Sequence, residues 1–261
     1  MKKILNTSIS TEELERNYAV FYHLLSQYDD MDVKFYLHFV REHGTPVMEL
    51  GAGDGRLAVT IARSGFEVYA VERDTAMLLR LFKNSVGLYP HLIKIIPQDI
   101  LKMSLERADF SVAIFANRTF QIFKTQEEQL SALHKVNYHL KRGGIIIIDV
   151  FTENFVKAID SKEKEFSHEI VDPITGMKFR VFSTIIVDYA VKNLRAIKHL
   201  VSQDNSTEIL PGFEITWFSL QDMTSLLEKT QFKIINVFSD FDFTPYHHKT
   251  KELIIVAQKK L

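Results

Sequence analysis

Three glycines at every second position, Gly51, Gly53 and Gly55, follow directly on an apolar run, Val47-Met48-Glu49-Leu50. Glycine takes positive φ at little steric cost and lets a ligand lie against bare backbone. An apolar strand that runs into such a turn and then into a helix builds a grip for a small ligand, because the first N–H groups of the helix face the same place. A second apolar run, Val68-Tyr69-Ala70-Val71, ends in Glu72, 21 positions after Gly51. The two oxygens of a carboxylate at that distance match the hydroxyl pair of a ribose. The plain alternative is a turn-rich strand-to-helix junction that holds nothing.

The spacing separates two kinds of ligand. A dinucleotide fingerprint, G-x-G-x-x-G, needs its third glycine at position 56, where the chain has Arg56. Here the third glycine comes one residue early, and acids flank the motif on both sides at Glu49 and Glu72.

Composition narrows the class. The chain has 261 residues, 46% hydrophobic and 25% charged, an ordinary globular balance. Lys+Arg is 32 against Asp+Glu 33, and no long basic run occurs, which argues against a nucleic-acid or membrane-surface partner. There is no cysteine, so disulfides, thiolate zinc sites and cysteine nucleophiles are ruled out, and no metal site is expected. The N-terminus lacks the apolar core of a signal peptide, and no apolar run approaches the roughly 20 residues of a membrane helix. A cytoplasmic location is the default expectation.

The elements that must position the motif follow from periodicity. Residues 10–43 read as helical, with Ser10 and Glu13 as a capping box and Tyr18, Phe21 and Tyr22 as an aromatic stripe, interrupted at Tyr28-Asp29-Asp30. From 46 to 149, apolar strands alternate with amphipathic helices, the pattern of a parallel sheet covered on both faces. Strands are expected near 46–50, 67–71, 92–97, 110–115 and 145–149, and helices near 55–64, 74–85 and 125–141. Thr125–Glu128 is a helix start, and Lys141-Arg142-Gly143-Gly144 a stop. Residues 165–218 switch to period-two alternation and predict three or four antiparallel strands, with turns at Asp172–Gly176 and Val191–Asn193. Ser219–Thr230 predicts a helix, and Phe232–Phe238 and Glu252–Gln258 two strands returning to the main sheet.

The segments P-V-M-E-L-G-A-G-D-G-R, V-Y-A-V-E-R-D, I-I-P-Q-D-I, F-A-N-R-T-F-Q and H-L-K-R-G-G-I-I-I-I-D-V-F occur in the order and at the spacing of class I S-adenosylmethionine-dependent methyltransferases, whose first motif is typically D/E-x-G-x-G-x-G. With the tail segments W-F-S-L-Q-D-M and E-L-I-I-V-A-Q-K, the chain resembles their bacterial small-molecule branch, which includes sugar N,N-dimethyltransferases and glycine/sarcosine-type N-methyltransferases. The resemblance implies an α/β fold: a doubly wound, Rossmann-like, seven-stranded, mostly parallel sheet with a small antiparallel insertion after the fifth strand. It divides the chain into an N-terminal helical lid (1–45), a cofactor-binding core (46–150), the insertion (151–218), and a C-terminal helix and strands that complete the sheet (219–261). S-adenosyl-L-methionine is the implied cofactor and S-adenosyl-L-homocysteine the product.

The resemblance also implies roles. Gly51, Ala52 and Gly53 lie against the methionine and ribose of the cofactor, and Glu49 orients the loop or accepts from the ammonium. Glu72 takes the ribose hydroxyls. Arg73 and Met77 border the adenine, with Gln98, Asp99 and Ile100 on its edge. Ala116 and Asn117 lie under the sulfonium. The structural alternatives are a cap at Asp99, a solvated charge at Arg73 and a turn residue at Asn117.

The expected reaction is in-line displacement onto a small-molecule acceptor, most simply an amine, with O- or C-methylation as alternatives. Alignment alone contributes roughly 7–11 kcal/mol in such reactions. The base is poorly marked. Where relatives often carry a histidine after the fourth strand this chain has Ile122, and Arg118 replaces a small residue, which favours an anionic acceptor. Tyr18, Tyr22, Asn117, Arg118 and His199 are the remaining candidates. His247 and His248 are adjacent, point opposite ways on an extended segment, and are poorly placed to share a metal. Amino-directed nucleic-acid enzymes resemble D/N-P-P-Y/F after the fourth strand, where this chain has Asn117-Arg118-Thr119-Phe120, and cytosine C5 methylation needs a cysteine; neither pattern fits. A cofactor-holding regulator without turnover is the alternative of another class. A homodimer paired through an edge of the inserted sheet is the expected assembly if the chain is not a monomer.

Overall fold

The computed structural model describes residues 31–159, 165–171, 176–203 and 206–260. Tyr18 and Tyr22, the Ser10–Glu13 cap and most of the Asp172–Gly176 turn lie outside the described residues. The first element is α1 (Met31–His43), which carries seven buried residues on one face. Five segments then alternate with helices: β1 (Val47–Leu50), α2 (Arg56–Arg63), β2 (Val68–Glu72), α3 (Thr75–Asn84), β3 (Ile93–Pro97), β4 (Phe110–Phe115), α4 (Gln126–His139) and β5 (Leu140–Phe151). After α5 (Glu153–Ile159) come β6 (Glu165–Val171), β7 (Lys178–Asp188), β8 (Asn193–Ser202) and β9 (Thr207–Thr216). The chain closes with α6 (Leu220–Lys229), β10 (Phe232–Phe238) and β11 (Glu252–Lys259).

The strands form two sheets. One has seven strands in the order β10-β11-β5-β4-β1-β2-β3, and the other four in the order β6-β7-β8-β9. In the larger, β1 to β5 run parallel, while β11 is antiparallel to both β5 and β10. The expected doubly wound architecture, with an antiparallel insertion after the fifth strand, is the one found. Strand order reverses between β1 and β4, and the crevice beyond the C-terminal ends of the strands at such a reversal is where open α/β sheets bind ligands.

Alternation along the strands builds the two faces. Val47, Val112, Ile145 and Ile147 pack with α1 and α2 side chains such as Phe35, Val40, Leu57 and Ile61. Met48, Leu50, Ile146 and Ile148 pack with Leu133 of α4 and Met223 of α6. The helix starts carry the expected chemistry. Thr125 and Glu128 form a capping box on α4, and Ser219 and Asp222 form one on α6. Most of the four-stranded sheet belongs to a separate compact unit, with a small core of Ile170, Phe179, Val181 and Leu200. Among the described residues no helix is long and apolar enough to cross a membrane.

Two local expectations differ. The Lys141–Gly144 stop is already strand: α4 ends at His139, and the buried Leu140 opens β5 in extended conformation. Positive φ at Gly143 and a register shift along β4 let the glycine pair be absorbed as an irregularity in the strand. The short helix α5 was not expected either.

Helix α1 is tied to the sheet by a polar contact as well as by packing. The Tyr36 hydroxyl donates to Asp149 Oδ1 on β5, and both residues are fully buried. Burial first, then the Asp149 charge, pushes the phenol well above its usual pKa, so it stays a donor. Tyr36→Phe leaves a buried carboxylate short of one donor, and we expect a loss of about 1–3 kcal/mol in urea unfolding with little change in m.

Candidate functional site

The glycine turn is held by β2. The Gly51 and Ala52 N–H groups both donate to the Val71 carbonyl, at 2.8 and 3.0 Å. Gly53 N–H donates to Glu72 Oε2 at 2.8 Å, while Glu72 Oε1 accepts from the Arg73 and Asp74 N–H groups, each at 2.8 Å. A carboxylate accepts about four hydrogen bonds, so Glu72 keeps capacity on Oε2 while fixing the turn. Gly51 and Gly53 have φ of +72° and +57°. A Cβ on Gly53 would meet no described residue within 4 Å, whereas one on Gly51 would lie 2.5 Å from Thr119 Cγ2. Gly51 therefore serves close approach of the loop after β4, and Gly53 borders open space.

Glu49 pairs with Ala70 and Ile114 in the centre of the sheet and is 3% exposed. Its Oε2 has no hydrogen-bond partner among the described residues. Burial raises its pKa to about 8, only partly offset by the Arg56 charge and by a backbone hydrogen bond involving Ala58. Arg56 itself is committed to Asp32, through Nη1 at 2.8 Å and through Nη2. A buried carboxylate oxygen without a donor beside an open glycine turn fits a ligand that brings a cationic N–H.

The adenine-side candidates are arranged around β2 and β3. Met77 and Ile100 are each 7% exposed. Asp99 caps the 3-10 turn Ile100–Lys102 by accepting from Leu101 N–H at 2.8 Å, and its other oxygen accepts from Arg73 at 2.9 Å. Burial opposes its charge, but these two donors outweigh it and hold the carboxyl below its usual range. Gln98 Oε1 accepts from Ser104 N–H.

The loop after β4 carries the catalytic candidates. Ala116 is buried, and Asn117 and Arg118 have φ of 52° and 63°. Arg118 N–H donates to Asp149 Oδ2 at 2.9 Å, its guanidinium pairs with Glu252, and its Nε lies 3.6 Å from Asp149. It also lies 4.4 Å over the Phe151 ring. Burial works against the Arg118 charge, but Asp149 and Glu252 outweigh it. Two internal carboxylates already balance that charge, which removes the reason for expecting an anionic acceptor there. Burial pushes Glu252 up to about 7 against the pull of Arg118, and raises Asp149 in the same way.

The structure thus brings Glu49, the glycine turn, Glu72, Asn117 and Arg118 to one edge of the larger sheet. His199 belongs to the other unit, where its Nε2 lies 2.9 Å from Thr184 Oγ1. Tyr36, Thr119, Asp149 and Glu252 were not found from the sequence. A carboxylate in the apolar run I-I-I-I-D-V-F was a visible signal for Asp149; the others gave none. Among the described residues no group of three or more His, Asp or Glu is placed to hold a metal ion.

Two outcomes follow from this geometry. Gly51→Ala, which adds a clash to a positive-φ position, is expected to cost about 2 kcal/mol or more, and adding Thr119→Ser should restore part of it in chemical denaturation. Glu49 and Glu252 both titrate above the unfolded carboxylate range, so the folded state binds more protons than the unfolded state between about pH 5 and 8. Stability contributed by these protons is present at the acid end and lost as pH rises through about 7 and 8. Melting temperatures of the ligand-free protein from pH 5 to 9 should fall across that window, and Glu49→Gln should flatten the upper part.

A model described as "Methyltransferase domain" matches residues 47–144. A ribosomal RNA small subunit methyltransferase of Arabidopsis thaliana is 38% identical over 68 residues, 26% of this chain and 19% of that protein, so this chain spans about a fifth of that relative. A glycine/sarcosine N-methyltransferase of Aphanothece halophytica is 21% identical over 231 residues, covering 87% of this chain and 81% of that protein. The solved CcbJ methyltransferase from Streptomyces caelestis superposes with a TM-score of 0.77 at 18% identity, covering 97% of this chain and all of the other. Residues 47–144 are thus similar to a methyltransferase domain, and the chain has the fold of solved S-adenosylmethionine-dependent methyltransferases.

Proposed function

We propose that this chain transfers a methyl group from S-adenosylmethionine to a small-molecule acceptor, with an amine as the nucleophile. The observation that carries the reading is the pairing of an open glycine turn with two acids on adjacent strands: Glu72, with spare acceptor capacity, and Glu49, with a buried oxygen lacking a donor. Glu72 receives the ribose hydroxyls, Glu49 the ammonium, and Met77, Asp99 and Ile100 border the adenine. When bound, the cofactor supplies an electrophilic methyl on a sulfonium leaving group. The protein's part is to align the acceptor and exclude water, and alignment of this kind is worth roughly 7–11 kcal/mol.

The surroundings of the loop after β4 support an amine. They hold a carboxylate surplus and an internally paired arginine, a poor environment for an anion and a good one for binding a cationic amine. The distant glycine/sarcosine N-methyltransferase acts, by its name, on amines.

Calorimetry with S-adenosylhomocysteine tests the cofactor assignment. Wild-type protein should bind it, and Glu72→Ala should weaken binding about 100-fold or more, the loss expected from two hydrogen bonds to a charged group. Uptake of a nicotinamide dinucleotide in place of S-adenosylhomocysteine would overturn the reading.

A further inference from the structure

We propose that Glu252 is the proton acceptor for the methyl acceptor, and that the acceptor is an amine that enters as an ammonium ion. This rests on the cofactor reading above and deepens it by assigning a chemical class to the second substrate and a residue to its deprotonation.

Glu252 opens β11 and pairs in register with Phe151, the last residue of β5. It therefore stands at the C-terminal edge of the parallel strands. One of its oxygens accepts from Arg118 Nη2, and the other, Oε2, is buried with no hydrogen-bond partner among the described residues. Arg118 is followed in the chain by Thr119, the residue that fills the space beside Gly51. The carboxylate is thus joined by one side chain to the loop that packs on the glycine turn. No histidine lies in that loop, and the half-exposed Ile122 has no acid-base chemistry to offer.

Charge and donor counting point the same way. Glu252 and Asp149 bring two carboxylates to a single guanidinium. Asp149 is satisfied by the Tyr36 hydroxyl and the Arg118 N–H, whereas Glu252 keeps an oxygen free. A buried acceptor oxygen beside surplus negative charge is short of a cationic N–H donor, which an ammonium group supplies. The groups facing Glu252 are Arg118 from the loop after β4, Asp149 from β5 and Asp240 from the segment after β10. Tyr36 and Asp32 of α1 stand behind Asp149. Burial is the largest influence on Glu252 and brings its pKa to about 7, suited to taking a proton near neutral pH.

The step balances. An N–H bond of the ammonium breaks, its proton passes to Glu252 Oε2, and the pair stays on nitrogen as a lone pair. That lone pair forms the N–C bond while the C–S bond breaks and its electrons return to sulfur. The product leaves as a methylated ammonium, and Glu252 returns its proton to solvent.

The test uses the full chain, S-adenosylmethionine labelled in its methyl group, and matched probes: glycine, sarcosine and a nucleotide-linked amino sugar against glycolate and the corresponding hydroxy sugar. S-adenosylhomocysteine calorimetry is run first on every variant. Expected are transfer to at least one amine and to neither hydroxyl probe, and a wild-type kcat/KM that rises through about pH 7. Glu252→Gln should lower kcat about 100-fold or more with an S-adenosylhomocysteine Kd within twofold of wild type, and its profile should move to the amine's own pKa. Glu252→Asp should recover part of kcat. No S-adenosylhomocysteine binding by wild type means that the cofactor reading has failed. Binding with no amine methylated, wild-type kcat and pH profile in Glu252→Gln, or a wild-type profile flat through pH 7 each overturn the assignment of Glu252. The last needs no variant and holds if Glu252→Gln does not fold.

Discussion

Burying a carboxylate without a full set of donors costs several kcal/mol, and this protein does so repeatedly at one edge of its larger sheet. Glu49 and Asp149 are buried there and Glu252 is half-buried, beside the guanidiniums of Arg56 and Arg118, and Arg56 is already taken by Asp32. The surrounding contacts reduce that cost. Tyr36 reaches from α1 to Asp149, Arg118 spans Asp149 and Glu252, and the Arg118 N–H adds a further donor. Among the described residues the unmade bonds that remain, on Glu49 Oε2, Arg118 Nε and Glu252 Oε2, mark where the fold gives up stability. Unpaired buried acids in a crevice are what a site for cationic ligands needs before the ligand arrives.

The same constraint fixes the loop after β4. Two consecutive non-glycine residues, Asn117 and Arg118, hold left-handed conformations that cost of order 1–3 kcal/mol each unless the surroundings enforce them. Asp149 enforces them from one side by holding the Arg118 N–H. Thr119 does so from the other by occupying the space that a side chain at position 51 would need. Gly51 thus has two separate reasons to be glycine: its own positive φ and its neighbour's methyl group.

Local chemistry made part of this legible in the sequence. The glycine spacing, the acid after β2, the apolar strand runs and the Thr125–Glu128 cap are each contained within a few residues. Periodicity and turn chemistry read them directly, and the strands fell within a residue or two of their expected places apart from β5, which begins five residues early at Leu140. The charge network was not legible, because its partners are 113 residues apart for Tyr36 and Asp149 and 134 for Arg118 and Glu252. Nothing in the neighbourhood of Arg118 along the chain reveals that two carboxylates neutralise it, so a lone arginine after β4 read as a docking point for an anion. The end of α4 was misplaced for a related reason. Gly143 and Gly144 look like a helix stop, but the burial of Leu140 against β4 decides where the helix ends.

This split has a physical basis. The proposed cofactor grip is mostly backbone: glycine conformations, N–H groups and two acids at the ends of neighbouring strands, all set by a short continuous stretch. In the proposed reading, selection of the acceptor falls to side chains that converge from α1, the loop after β4, β5 and β11, which can be exchanged without disturbing the grip. One scaffold can therefore present the same methyl donor to different nucleophiles by changing the charge and donor balance around a single loop. In this chain that balance is negative and internally braced, with one acceptor oxygen left open at Glu252 and one donor at Arg118 Nε among the described residues.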